Sequence, residues 1–559
     1  MADRCSAELS SAGRRQVPPV RLPQRLRIPN PRNDRVQLCA TFAAVSATFD
    51  RTQLDWAGLA RTRDTGTSTT GTPSESSAPI PPDISWSPSD STAVKLPRAR
   101  WWWAALLLAA LAAFIVWRVR QPGDLEQRLA RYRAAGQPVT LAELDASYPA
   151  VPDAENAAPP LLEAISGWRS VTDTNLPISG LGPGYPRRGV PWPAPVLAAA
   201  RAELASNAVP LAGLHAALNR PRSRYPVDLR SAANTLATHF SPVKQAARML
   251  TLEARFAAET GDPVQATAAL LASLKAARSL EAEPLLISYL VRIADNAIAV
   301  DGAEGVLSRT PLTGPQLEQL QQAFVLAESP DHFGRAFVGE RCLALEHFTM
   351  PASRLLPLLA APGGVPANAS SGWQEFAQGS LLQLYIVSGI KGHDCAYYLD
   401  RMDELIETGA RPRTEMLDRQ ERFGREVRRM QAQLSGILRP FSRLGLPAFE
   451  MASAKELRSV TTLRCAQTAM AVERWRLAHG DALPPTLDVL VPQFLAAVPI
   501  DLMDGKPLKF RALAKGYVVY SFGEDGLDDG GLPSNERGPD PKDKNKRSNR
   551  WDYTFTVTR

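Results

Sequence analysis

The chain has 559 residues, 45% of them hydrophobic, which is enough to build more than one core. Its formal net charge of +7 comes from arginines spread along the whole length, whereas a nucleic-acid binder gathers such charge on one face or tail, so no nucleic-acid partner is expected. Cys5, Cys39, Cys342, Cys395 and Cys465 show no Cys-x-x-Cys spacing, which excludes the common zinc modules.

Residues 1–95 are rich in Arg, Pro, Ser and Thr and lack any sustained hydrophobic period. They read either as a disordered tail or as a mis-assigned segment upstream of a true start near Val94. Residues 96–120 are expected to be a transmembrane helix with its flanks. The run Trp101–Trp117 carries no charged side chain, and at 1.5 Å per residue it spans roughly 25 Å. Tryptophans at both ends suit the membrane interfaces, and Arg98, Arg100, Arg118 and Arg120 reach headgroups. The upstream flank from Lys95 to Arg100 has no acid, while Asp124 and Glu126 follow the span, so the N-terminus is expected inside. The expected location is therefore the cell inner membrane, single-pass, with the bulk extracytoplasmic and the lipid bilayer as a partner.

Residues 124–445 read as a helical domain, mainly α, built as a helical bundle or as irregular helical hairpins. Thr140-Leu-Ala-Glu143 has the form of a capping box, and Asp153-Ala-Glu-Asn156 starts a second helix in the same style. The clearest unit is Ser241–Leu280, where Val243, Ala247, Leu250, Ala254 and Ala257 recur at helical spacing. Gly261 closes that helix, and Asp262-Pro263 opens the next with an N-cap and an N1 proline. Arg413–Leu438 alternates charge as a solvated helical face does.

Catalytic signatures are missing from this stretch. Gly180-Leu-Gly182-Pro-Gly184 precedes a proline-rich loop, not a helix N-terminus, so it lacks the amides that hold a phosphate. Glu340, Glu346 and His347, with His393-Asp394, form the best remaining set for acid–base chemistry. Glu346 and His347 are sequential neighbours on a helix and point apart. Cys342 and Cys395 are either a disulfide pair or ordinary buried thiols.

Residues 446–559 read as an α+β unit. A helix over Ala452–Ala478 ends at Gly480, a well-placed left-handed cap. Leu508–Ala512 and Tyr517–Phe522 are rich in β-formers and are joined by Ala514-Lys515-Gly516, while Tyr553–Thr558 alternates strictly. A three-stranded antiparallel sheet packed on a long helix buries both apolar faces.

The order of parts here resembles the C-terminal globular domain of the major pseudopilin of type II secretion. The resemblance rests on the helix end Glu473–Gly480, on Asp501-Leu-Met-Asp-Gly505-Lys-Pro507-Leu508, and on Tyr520-Ser-Phe-Gly-Glu-Asp525-Gly526. It covers about a fifth of the chain. Leu502 and Met503 stand where the family has Pro and Trp. The resemblance implies a calcium loop, with Asp525 at the matching position, Asp528 and Asp529 as added carboxylates, and Asp552 closing the loop from the far side. The insert Pro539–Asn549 carries Lys542, Lys544, Lys546 and Arg547, cations that oppose such an ion.

A pseudopilin continues its membrane helix directly into the globular domain, behind a short cleaved leader. Here the span ends at Trp117, over three hundred residues upstream, with no Gly-Phe-Thr-Leu-Glu-like site before it. The implied role is thus a reused module in a membrane-anchored structural or protein-binding protein, with protein partners in the cell envelope. The alternative is an envelope hydrolase with Glu346, His347 and His393 in its active site.

Overall fold

The computed structural model describes residues 125–169, 189–230, 238–350, 389–433, 438–523, 527–532 and 552–559, with a few isolated positions besides. Residues 1–95 and the loop at 180–184 lie outside these, as does the expected span except for five positions. Leu106, Ala109, Ala110, Ala112 and Ala113 are each helical and exposed. Among the described residues no helix is long and apolar enough to cross a membrane.

The chain enters through α1 (Leu125–Ala134) and α2 (Leu141–Ser147). Thr140 caps α2 by accepting from the Glu143 amide at 3.1 Å, and the Glu143 carboxylate takes the Val139 amide at 2.8 Å. The helix expected at Asp153 starts later, as α3 (Ala158–Ser166). Asn156 supplies its cap oxygen, accepting from Ala158 at 3.1 Å, while the Asp153 carbonyl closes a turn. Two prolines then sit in the first turn of α3, where a missing N–H costs nothing.

α4 (Ala194–Ser206) and α5 (Ala208–Leu218) lead to the expected hairpin, α6 (Phe240–Glu259) and α7 (Pro263–Arg278). Gly261 takes φ +76°, and Asp262 caps α7 through the Gln265 amide at 3.0 Å. α8 (Leu286–Leu307) packs across both hairpin helices, and α9 (Gly314–Ala327) packs on α7. α10 (Pro330–Thr349) pairs with α11 (Ile390–Ala410). Gly339 makes the α10 fit close, since a Cβ there would lie 1.7 Å from the Pro284 carbonyl oxygen.

α12 (Met416–Ala432) is shorter than the Arg413–Leu438 stretch expected to be helical, with Arg413–Glu415 forming a separate 3₁₀ turn before it. Its outer face does carry the i,i+4 pairs Glu415–Arg419 and Glu421–Arg425. α13 (Pro440–Ala478) runs unbroken for 39 residues, about 58 Å at 1.5 Å per residue. It starts before, and continues through, residue 446.

The sheet is as the alternation implies: β1 (Lys509–Leu513), β2 (Gly516–Ser521) and β3 (Tyr553–Thr558), antiparallel in that order. Gly516, at φ +111°, opens β2 where a Cβ would meet the Val557 carbonyl oxygen at 1.9 Å.

One apolar cluster joins this sheet to the helices. Leu463, Ala466, Met470 and Val472 of α13 and Tyr517, Val519, Phe555 and Val557 of the sheet are buried in it. Ala254, Leu270, Ala303, Leu320 and Phe324, from α6, α7, α8 and α9, belong to the same cluster. Burying one such leucine or phenylalanine contributes about 1.5–3 kcal/mol, so this joint is a major part of the fold. Polar bonds reinforce it: the Thr556 amide donates to the Glu304 carboxylate of α8 at 2.7 Å, and the Thr558 amide to Ser308 Oγ at 3.1 Å. A second cluster holds α10, α11, α12 and the first half of α13 around Phe333, Phe337, Leu399, Phe423 and Phe449.

Candidate functional site

The acidic loop lies at the end of β2, and Asp501 holds its base. This buried carboxylate accepts from Ser521 Oγ at 2.8 Å and from the amides of Met503 at 2.9 Å and Phe522 at 3.3 Å. Gly505, at φ +71°, completes the turn by donating its amide to the Asp501 carbonyl. Thus the Asp501–Leu508 stretch works as a buckle between the turn and the sheet.

Asp525 lies outside the described residues. Asp528 is exposed; its Oδ1 accepts from the Gly530 amide at 2.9 Å and its Oδ2 lies 3.7 Å from Lys509 Nζ. Asp552 is buried, and its Oδ2 accepts from the Gly531 amide at 2.7 Å. The second oxygen, Oδ1, is buried with no hydrogen-bond partner among the described residues. Burial, with Asp529 and Asp528 nearby, lifts the Asp552 pKa to about 6. The Asp529 amide also acts on the Asp552 carboxylate, and Asp528 is committed to Gly530 and Lys509. Among the described residues, no three His, Cys, Asp or Glu side chains group as a metal site would need.

The acid–base candidates of the helical region are used elsewhere. Glu340 accepts from the Leu286 amide at 3.3 Å, satisfying the first turn of α8, and burial lifts its pKa to about 7. His347 Nδ1 bonds its own helix at the Leu343 carbonyl, 2.7 Å away. Glu346 and His393 are exposed. Asp394 is fully buried and accepts from Tyr385 Oη at 2.9 Å, from the amides of Phe441 and Ser442 at 3.0 and 3.2 Å, and from Ser442 Oγ at 2.5 Å. It fastens the start of α11 to the start of α13. Among the described residues no hydrogen bond or ion pair joins Glu346, His347 and His393. Cys342 and Cys395 are free and buried, so the thiol reading of the two alternatives applies.

The structure also reveals a buried polar seam where α6, α8 and the chain before α8 meet. His239 Nε2 and Glu283 Oε2 lie 2.9 Å apart, both buried, and the Tyr225 ring stacks on His239 at 4.4 Å between centroids. Tyr225 Oη is 2.6 Å from Ser279 Oγ. Asp295 of α8 is fully buried with neither oxygen bonded among the described residues. Its desolvation, opposed by Lys244 and Arg248 of α6, holds its pKa up at about 8. The sequence carried one signal for this seam: Arg292, Asp295, Asn296, Asp301 and Glu304 interrupt a largely apolar 22-residue helix.

Comparisons with protein-family models, with curated proteins and with solved structures give no match.

Proposed function

We propose that this is a single-pass, membrane-anchored structural or protein-binding protein of the cell envelope. Its bulk lies outside the inner membrane, and a pseudopilin-like module is built permanently into its helical body. The observation that carries the reading is the shared core: α13 and the three strands bury their apolar faces against α6–α9. A helix occupied in this way is a fixed beam, unavailable for stacking on copies of itself. The anchor rests on the composition of Trp101–Trp117 and on the helical, exposed positions Leu106, Ala109, Ala110, Ala112 and Ala113 within it.

The hydrolase alternative draws no support from Glu346, His347 and His393, which share no bond, while Glu340 and Asp394 are engaged at helix ends. Calcium remains part of the proposal through the free oxygen of Asp552 and the matching position of Asp525.

Fractionation of cells expressing the full chain tests the anchor. Retention in membranes after alkaline carbonate is expected, and extraction would refute it. Protease added to spheroplasts is expected to degrade the helical body; protection would place the bulk on the cytoplasmic side. Cross-linking in intact cells is expected to give discrete protein adducts, and their absence would remove the protein-binding role.

A further inference from the structure

Three helix starts come together at one end of the molecule. Arg128 pairs with Asp400, and Tyr132 Oη donates to Asp403 at 2.6 Å, so α1 runs alongside α11 in the same direction. Asp394, in the first turns of α11, bonds the Phe441 and Ser442 amides that open α13. The Arg439 guanidinium stacks 4.1 Å over the Tyr397 ring of α11. Hence the beginnings of α1, α11 and α13 are neighbours.

That end is where the expected span must attach. Only residues 118–124 separate Trp117 from α1, at most about 25 Å of extended chain. It is also where large apolar side chains stand in solvent: Leu438 is 52% exposed and Leu444 58%. Beside them in the chain are exposed Arg443 and part-exposed Arg439, and part-exposed Lys391 lies at the start of α11; Arg128 and Arg131 of α1 sit with Asp400 and Asp403. Among the described residues the acids at this end are exposed Glu126, Asp400 paired with Arg128, Asp403 bonded by Tyr132, and Glu404 and Glu426, which lie by Tyr397 and pair with Arg401 and Arg429; Asp394 is buried and fully engaged. Exposed leucines each next to an arginine, within a short tether of a bilayer, have the composition of an interfacial surface.

We propose that this end, with Leu438, Leu444, Arg439 and Arg443 at its centre, docks on an anionic phospholipid surface. The inference rests on the membrane-anchor reading and adds a second contact to it. The span tethers the body, and the docking face fixes its attitude, with α13 leading away from the membrane.

The test uses the full chain in nanodiscs, with Cys5→Ser and Cys39→Ser and an environment-sensitive dye on Leu444→Cys or, as a control, Val264→Cys. Val264 is 69% exposed beside Gln316, toward the far end of α13. With anionic phosphatidylglycerol discs, the Leu444 dye is expected to shift to the blue and be quenched by nitroxide-labelled lipid, while the Val264 dye does neither. Arg439→Glu with Arg443→Glu should abolish both effects. A chain that inserts but shows no quenching at Leu444 overturns the docking face and leaves the anchor intact. A blue shift without lipid quenching means that protein, a second copy included, covers this face, and likewise overturns the lipid reading. Failure to insert at all removes the anchor and the docking face together.

Discussion

Burial makes ionisation costly at two carboxylates, Asp295 and Asp552. Asp295 has a pKa of about 8 in the folded chain, against about 4 when unfolded. The folded state therefore keeps its proton while the unfolded state loses it, so this group's contribution to stability declines as pH rises from about 4 to about 8. Asp295→Asn should accordingly raise the melting temperature at pH 9 and do little at pH 4, with a gain on the order of 1–3 kcal/mol. A loss at pH 9 would mean that Lys244 or Arg248 pairs with the ionised form. Asp552, with its pKa near 6, follows the same sign over a lower and narrower window. In chelator, Asp552→Asn should stabilise the protein above pH 6. In calcium the wild type should gain melting temperature and Asp552→Asn should not; no calcium response in the wild type would remove the ion from the loop. Asp525→Ala should matter only when calcium is present, and an equal effect in chelator would count against the same loop.

At the scale of elements, the sequence disclosed what rests on local periodicity. The hairpin of α6 and α7, the capped start of α2, and all three strands follow from spacing, caps and alternation. The start of α13 escaped because its first turns are fastened from outside: Asp394, some fifty positions upstream, supplies the acceptors for Phe441 and Ser442. Read alone, His393-Asp394 looked like chemistry, since only the fold shows which donors a carboxylate meets. The buried seam escaped for the same reason: His239, Glu283 and Asp295 sit on separate segments. Asp394→Ala strands two helix-opening amides, a serine hydroxyl and the Tyr385 hydroxyl, and should cost about 3–5 kcal/mol. Asp394→Asn keeps the acceptor oxygen and should recover part of that. Urea unfolding of the two variants measures both, and equal losses would show that charge, not acceptance, is what this position supplies.

Among the described residues, the helix and sheet that the sequence reads as a C-terminal unit share one apolar cluster with α6, α7, α8 and α9. The order of parts after residue 446 is legible as a unit, but its helix buries residues against α8 and α9 that no local pattern reveals. A fragment of residues 451–559 would expose Leu463, Met470 and Val472 and leave the outer amides of β3 without Glu304 and Ser308. It should show no cooperative melt by circular dichroism, whereas the intact chain should. A cooperative melt of the fragment, with a heat of unfolding proportionate to its length, would make the joint with the helical body dispensable.

The bonds from Glu304 and Ser308 to β3 have a further consequence. A small sheet has two margins along which a foreign strand can add, and strand addition is a common route to filaments and aggregates. Here two outer amides of the β3 margin, those of Thr556 and Thr558, are taken up by Glu304 of α8 and by Ser308 at its C-cap. On the β1 margin Arg511 is exposed, and its positive charge discourages an identical strand from aligning there. The sheet is thus partly closed to growth on one side and repels its own kind on the other.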